Sequence, residues 1–268
     1  MSERTAEMPF TMHLEELRTC LVRTLLGILI GAIASYLFIG EIFQILTFPL
    51  HDSSPDAVLI GTGPAEAFIV KIKVAIFAGI LLSAPLSIYQ LWVFISPGLH
   101  QHEKRFVIPF VFFASLFFFT GVSFCYSLVL PVALRFLGAE FVDIGISANI
   151  KIGEYLSFIV TLLIVFGVLF EIPIISYFLA RLNLLSHQWL IRNGRTAIVV
   201  IFVVAAVLTP SPDWATQILL AVPLLILYGM SIGIAYYVRR NGKGRGKGSG
   251  SELGDDEGKG RGRGREIS

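Results

Sequence analysis

Long uncharged apolar runs, separated by short polar segments, make up most of this chain. A helix of about 20 apolar residues crosses the hydrocarbon core of a bilayer. A soluble protein with buried helices is the alternative, but six such runs in 268 residues leave too little polar surface for it. The pattern therefore predicts an all-α, polytopic membrane protein with six transmembrane helices. The runs are residues 24–40, 74–99, 106–134, 155–180, 196–212 and 214–238.

Three of the predicted helices contain a proline, and one predicted helix is short. Pro85, Pro173 and Pro223 fall inside apolar runs, where a missing N–H kinks or opens a helix unless its neighbours satisfy the freed backbone groups. The fifth run is only about 20 Å long from Thr196 to Leu208. The hydrocarbon core is about 30 Å thick, so either the bilayer thins beside the fifth and sixth helices or the fifth helix includes flanking residues.

The ends of the chain are polar. Phe10, Leu14, Leu17 and Leu21 share one helical face, which is typical of an amphipathic helix on a membrane surface. An ordinary solvated leader is the alternative. The basic, Gly-rich tail holds almost nothing apolar, so it is predicted to be disordered and able to contact anionic lipid. The predicted N-terminal segment, membrane domain and tail are residues 1–20, 21–238 and 239–268.

Charge sets the orientation of these helices. The chain is 55% hydrophobic and 15% charged, against about 45–50% and 25% in soluble domains. All but four of its 21 Lys and Arg residues lie before the first run, in the second and fourth loops, or in the tail. Basic residues mark cytoplasmic loops, so both termini are predicted to be cytoplasmic. The four exceptions are Lys71, Lys73, Arg135 and Lys151.

The sequence holds no set of side chains typical of an enzyme. The five histidines lie at or beyond the predicted membrane edges without a plausible nucleophile, and the common hydrolase, zinc-protease and phosphate-loop motifs are absent. Cys20 and Cys125 indicate neither a disulfide framework nor a metal site. We therefore predict no catalytic residues, no metal and no cofactor. Arg-Gly repeats in the tail lack a folded nucleic-acid module, so nucleic acid is not an expected partner.

Glu171 is the one charged residue within an apolar run. It precedes Arg181 by about 15 Å of helix, which places it near the middle of the membrane. A carboxyl there is costly unless it is neutral, paired or hydrated, and it marks a functional site by default. The alternative is a protonated group bonded to the backbone of a neighbouring helix. Gln90 and Gln217 are the other polar side chains expected to bridge helices.

Acidic residues also occur on the predicted cytoplasmic face. Glu15 and Glu16 precede the first apolar run, and Glu103 lies in the second loop. Each alone is most simply a solvated surface group. Together, on a face otherwise rich in Lys and Arg, they indicate a candidate site for a cationic ligand.

Several blocks of the sequence, taken in order, resemble the TatC family, the signal-receptor subunit of the twin-arginine protein translocase. The first blocks are HLEELR at 13–18, TGPAEAF at 62–68, YQLWVFISPGL at 89–99 and HEKR at 102–105. Further blocks lie at 121–131, 170–173 and 208–213. The resemblance implies a multi-pass protein of a prokaryotic cytoplasmic (inner) membrane that binds twin-arginine signal peptides of folded cargo. It also implies export driven by the proton-motive force, with single-span TatA/TatB-type subunits, other copies of itself and membrane lipid as partners.

The resemblance also implies roles for individual residues. The signal-peptide site would comprise Glu16, Arg18, Phe94 and Glu103. The intramembrane polar positions, where partner helices dock, would be Glu171, Thr209 and Gln217. The structural positions would be Pro49, Glu66, Pro85, Pro97, Gly98 and Pro173. Gly229 stands where the family often has Glu, so no carboxylate role is expected at that point of the last helix.

Two other functional classes compete with this interpretation. A proton-coupled secondary transporter of a small solute would use Glu171, but the sequence shows no inverted repeat and only one intramembrane charge. An intramembrane hydrolase would need a nucleophile and a base, which the sequence lacks. Co-purification of single-span subunits favours the translocase, whereas solute uptake by the lone protein favours the transporter.

The loop charges give a first testable prediction, on topology. A reporter active only outside the cytoplasm should be active when fused after Asp56 or Ala148, and inactive after His102 or Gln188. The charge distribution is the physical reason, because basic loops stay on the cytoplasmic side. The reverse pattern of reporter activity would contradict the predicted orientation.

Overall fold

A computed structural model describes residues 10–55, 57–95, 107–143, 145, 148–181, 184–209 and 214–245, and almost all of these are helical. The helices are α1 (Phe10–Tyr36), α2 (Ile39–Ser53), α3 (Glu66–Ile95), α4 (Val107–Phe124), α5 (Leu130–Asp143), α6 (Ile152–Leu169), α7 (Glu171–Arg181), α8 (His187–Arg192), α9 (Gly194–Leu208) and α10 (Trp214–Arg245). A π-helical turn, Cys125–Val129, joins α4 to α5. Two strands, β1 (Val58–Ile60) and β2 (Asn149–Lys151), pair in parallel.

Five of the helical segments are long and apolar enough to cross a membrane. They are Leu14–Tyr36, Glu66–Phe94, Ile108–Asp143, Ile152–Arg181 and Trp214–Arg239. The sixth predicted span corresponds to α9, which is apolar but only 15 residues long. The prediction of a helical membrane protein is confirmed, and so is the shortness of the fifth apolar helix.

The helices of the structure begin and end at other residues than the predicted segments do. In its described part the N-terminal segment is not a separate surface helix, because α1 runs unbroken from Phe10 to Tyr36. α10 continues to Arg245, into the predicted disordered tail. The run at 155–180 is two helices separated at Phe170. Helix α2 and the two short strands were not predicted, so the fold is mostly helical rather than all-α.

Glycines let α1 and α3 touch through their backbones. A Cβ on Gly31 would lie 2.9 Å from the carbonyl oxygen of Gly79, and one on Gly79 would lie 2.5 Å from the amide nitrogen of Ala32. A Cβ on Gly27, one turn before Gly31, would lie 2.6 Å from the Leu86 side chain. Small residues spaced four apart are how membrane helices approach closely, since lipid supplies no hydrophobic driving force between them.

Helices α4 and α6 pair large side chains with glycines. A Cβ on Gly121 would lie 2.7 Å from the Phe166 carbonyl oxygen and from the Phe170 side chain. In return, the Phe118 ring lies over Gly167, where a Cβ would meet it at 2.7 Å. This interlocking centres the buried core on α6, whose Phe166 has no exposed surface.

Pro49 makes α2 depend on its neighbours. Proline has no N–H, so the carbonyl oxygen of Ile45, four residues earlier, loses its helical donor. The Tyr126 hydroxyl, from the π-helical turn, donates to that carbonyl at 2.8 Å. The Tyr155 hydroxyl of α6 donates to the next carbonyl, that of Leu46, at 3.0 Å. Two tyrosines thus fix α2 against the bundle, which gives the predicted structural role of Pro49 a physical basis.

Glu66 joins the starts of two helices. One carboxylate oxygen accepts hydrogen bonds from the Thr62 backbone and hydroxyl and from the Gly63 N–H. The other accepts the Gly153 N–H at the start of α6, at 3.1 Å. Because β1 and β2 precede α3 and α6, this carboxylate closes the end of the bundle that carries the strands, hereafter the strand end.

The Pro49 arrangement generates a second prediction. Tyr126→Phe should leave the Ile45 carbonyl unpaired within the apolar bundle and lower the free energy of unfolding by about 1–3 kcal/mol. In a Pro49→Ala background the same change should cost less, because alanine restores a helical N–H. Thermal or denaturant unfolding in detergent of wild type, the two single variants and the double variant measures the coupling between Tyr126 and Pro49.

Tyr155→Phe is the matched control, since its partner carbonyl is not the one that Pro49 frees. Its cost should be the same with proline or alanine at position 49. Equal costs of Tyr126→Phe in both backgrounds would show that the hydroxyl does not compensate for the proline.

Candidate functional site

The register of α1 against α3 places Glu16 beside the end of α3. The two helices run antiparallel and cross at Gly31 and Gly79. Glu16 precedes Gly31 by as many residues as Phe94 follows Gly79, about 22 Å in each case. Glu16 and Phe94 are therefore level with each other at the end opposite the strands, hereafter the Glu16 end.

Buried polar atoms at the Glu16 end lack partners. Glu16 is half-buried, and its Oε2 atom has no hydrogen-bond partner within the described part of the chain. The same holds for Oε1 of Gln90 and Nε1 of Trp92, both on the last turns of α3. An unpaired buried acceptor is costly. Two such acceptors, one of them a carboxylate, suit a ligand that carries positive charge and several N–H donors.

An aromatic cluster holds the end of α3 in place. The Trp92 ring packs against Phe110 of α4 and Phe178 of α7, with ring centroids 4.2 Å apart in both pairs. Trp92 is only 4% exposed. The rigid cluster fixes the last turn of α3, on which Phe94 lies. The positioning role of Trp92 could not be predicted from the sequence, because a tryptophan near the end of an apolar run is equally typical of a membrane interface.

Two predicted signal-site residues remain. Arg18 is exposed on α1. Glu103 lies outside the described residues, and so do Pro97 and Gly98, which were predicted as structural positions.

Glu171 lies at a break between two helices. Pro173 cannot donate to the carbonyl of Leu169 and its ring crowds that turn, so α6 ends at Leu169 and α7 begins at Glu171. Glu171 is half-buried, and Oε1 has no partner among the described residues. Pro173 itself is buried. Pro85, by contrast, lies inside α3 without interrupting it.

The other predicted intramembrane residues, Gln217 and Thr209, form hydrogen bonds to backbone carbonyls of α9. Gln217 of α10 donates from Nε2 to the Phe202 carbonyl of α9 at 3.0 Å, so its expected role as a bridge between helices is confirmed. Thr209 donates to the Ala206 carbonyl within the last turn of α9, at 3.1 Å. Both side chains stabilise the end of the shortest apolar helix.

The geometry is suited to binding rather than to chemical transformation. Among the described residues, no group of three or more His, Cys, Asp or Glu side chains is placed to hold a metal ion. The residues provide two carboxylates. Glu16 lies beside the end of α3, which the aromatic cluster holds in place, and Glu171 lies within a segment able to cross the membrane. Fold and site together define a helical membrane protein that has buried polar atoms without described partners at one end.

Comparison with known proteins identifies the family. The model of the family described as Sec-independent protein translocase protein (TatC) matches residues 12–223. The chain belongs to the TatC family. The TatC of Carboxydothermus hydrogenoformans is 39% identical over 235 residues, covering 87% of this chain and 96% of that protein. The TatC of Aquifex aeolicus is 37% identical over 237 residues, covering 88% and 98%.

A solved structure gives the same result. The crystal structure of a twin-arginine translocase receptor, TatC, superposes with a TM-score of 0.78 at 36% identity, covering 85% of this chain and 99% of that one. The expected family is therefore confirmed. The chain is a non-enzymatic protein of the Tat translocase complex and of a bacterial inner membrane.

Glu171 generates a third prediction. Glu171→Gln keeps a polar group of the same shape at the helix break and should retain most export of a twin-arginine reporter. Glu171→Leu removes every polar atom there and should reduce export at least tenfold. Export is measured as reporter protein outside the cytoplasm, at matched levels of the membrane protein.

Glu140→Leu, which changes an exposed carboxylate on α5, is the control and should export normally. Equal and complete loss of export in both Glu171 variants would instead indicate that the carboxyl transfers a proton.

Proposed function

We propose that this protein is the signal-peptide receptor and core subunit of its translocase, exporting folded proteins with the proton-motive force as energy source. The observation that carries the proposal is the half-buried carboxylate of Glu16, level with Phe94 at one end of the bundle, whose Oε2 atom has no hydrogen-bond partner among the described residues. The solved relative is itself described as a twin-arginine translocase receptor. Family membership favours this function over small-solute transport through Glu171.

The proposed ligand is the pair of arginines in the signal peptide. An exposed Arg–carboxylate pair contributes only about 0–1 kcal/mol. A partly desolvated, bidentate pair gains charge-assisted hydrogen bonds of roughly 1.5–3 kcal/mol each. Lysine would substitute poorly, because an ammonium group cannot make the planar fork. Glu16 and Glu103 would each receive one arginine, with Arg18 and Phe94 beside them.

The proposed topology has six spans with both termini in the cytoplasm. α9 would be the additional span, and its 15 residues reach about 22 Å, so the bilayer would thin around it. The basic residues at the Glu16 end, including Arg181, Arg192 and Arg195, support a cytoplasmic placement of that end. Glu16 would then face signal peptides as they arrive.

Single-span TatA/TatB-type subunits are the proposed partners, together with further copies of this chain. Their helices would dock along α9 and α10, close to Thr209 and Gln217. The support is the large apolar surface there, since Val199, Val203 and Val207 of α9 are all more than half exposed. A second membrane helix could pack on this surface through van der Waals contact.

The fourth prediction tests the receptor site. Glu16→Ala and Glu103→Ala should each reduce photocrosslinking to a twin-arginine signal peptide at least tenfold, since each removes charge-assisted hydrogen bonds. Wild type should prefer twin-arginine over twin-lysine signals, and both variants should lose that preference. Insertion and thermal stability should stay unchanged in Glu16→Ala, because no described residue bonds its buried Oε2.

Glu15→Ala is the matched control, because Glu15 is the neighbouring exposed carboxylate. It should crosslink as wild type does. If the Glu16 and Glu103 variants still prefer arginine as strongly as wild type, the recognition site is elsewhere.

A further inference from the structure

A seam between α1 and α3 runs from the glycine crossing to the Glu16 end. A Cβ on Gly27 would meet the Leu86 side chain, so these two positions mark the stripes along which the helices face each other. Cys20 lies two turns before Gly27 on α1, and Gln90 lies one turn beyond Leu86 on α3. Residues at these spacings share a helix face, and Cys20 and Gln90 are only 6% and 5% exposed. Both side chains therefore line the seam.

Gln90 holds an acceptor that the described part of the fold does not use. Its Oε1 atom is buried and has no hydrogen-bond partner among the described residues. Gln90 lies four residues before Phe94, about 6 Å of helix inward from the level that Phe94 shares with Glu16. The acceptors Oε2 of Glu16 and Oε1 of Gln90 are thus about one helical turn apart along the bundle. An unpaired buried acceptor is costly, so a ligand that brings N–H donors to both levels is stabilised at each.

Helix α1 is held to the bundle mainly on one side. Within the described chain it packs chiefly on α3 and, to a small extent, on α2. Its opposite side is apolar and open to lipid, since Leu25, Leu29 and Ile33 are all more than half exposed. A ligand that enters the seam at the Glu16 end therefore displaces α1 mainly against lipid rather than against other described helices.

We propose that this seam receives the start of the apolar segment of the signal peptide, and that Gln90 Oε1 accepts a backbone N–H from its first turn. The inference rests on the proposed reception of the arginine pair at Glu16. A signal peptide passes from a positively charged segment into an apolar one, and the first four N–H groups of a helix have no partner within that helix. One turn advances a helix by about 5 Å, which matches the depth of Gln90 relative to Glu16.

A backbone ester in the signal peptide tests this hydrogen bond, because replacing one peptide bond by an ester removes a single N–H and changes no side chain. Four synthetic twin-arginine signal peptides each carry one ester, at one of the four positions after the arginine pair. Their binding to the purified full-length protein in lipid nanodiscs is titrated. In wild type, at least one of these esters should weaken binding about fivefold.

Gln90→Met completes a double-mutant cycle with the ester. Methionine keeps an unbranched side chain but has only a weak acceptor in place of the amide oxygen. The ester that weakens binding to wild type should cost Gln90→Met less than about twofold, because the acceptor is already absent. Gln188→Met, which changes an exposed glutamine of α8, is the matched control and should respond to the ester as wild type does. Thermal unfolding confirms that each variant is folded.

Two results would overturn the proposal. The first is an equal effect of all four esters on wild type and on Gln90→Met, since Gln90 would then make no bond to the peptide backbone. The second is a Gln90→Met variant that shows this equal effect and also loses its single-span partner subunits, which would assign the acceptor to a partner helix. Failure of the receptor proposal is distinguishable, because wild type would then bind twin-arginine and twin-lysine peptides equally.

Discussion

The bundle depends on pairing every backbone N–H and C=O where water cannot reach, because an unpaired group within a bilayer costs several kcal/mol. Side chains from distant elements meet this requirement at several places where a helix is interrupted by proline, is short or ends. The Tyr126 and Gln217 side chains donate to carbonyls of α2 and α9, and Tyr228 donates to the Leu190 carbonyl of α8 at 2.7 Å. Glu66 accepts in the same way from the start of α6.

Some buried polar groups are not used for this task. Buried oxygens of Glu16, Gln90 and Glu171 have no partner among the described residues. Two of them lie near the Glu16 end and the third at the α6–α7 break. The division is physical: a polar side chain that completes the backbone of another helix is committed to the fold, whereas an unpaired one must find a ligand, a partner or a proton.

The membrane character and most spans could be predicted from the sequence, because lipid demands long apolar runs. The break at Glu171 could also be expected, since Pro173 removes a helical donor. Helix α2 could not, because its Pro49 and mixed polarity are typical of a loop until Tyr126 and Tyr155 are known to lie beside it. The level placement of Glu16 and Phe94 likewise needs the glycine crossing of α1 and α3, which joins positions far apart in the chain.

The carboxylate at the strand end sets an order of events during synthesis. Gly153 follows Glu66 by 87 residues, so a ribosome adding about 5–20 residues per second needs roughly 4–17 s to deliver it. During that interval the carboxylate has its local partners at Thr62 and Gly63. The turn before α3 can therefore take its final shape while the chain is still growing. When α6 is synthesised, the Gly153 N–H then meets a Glu66 carboxylate that is already oriented.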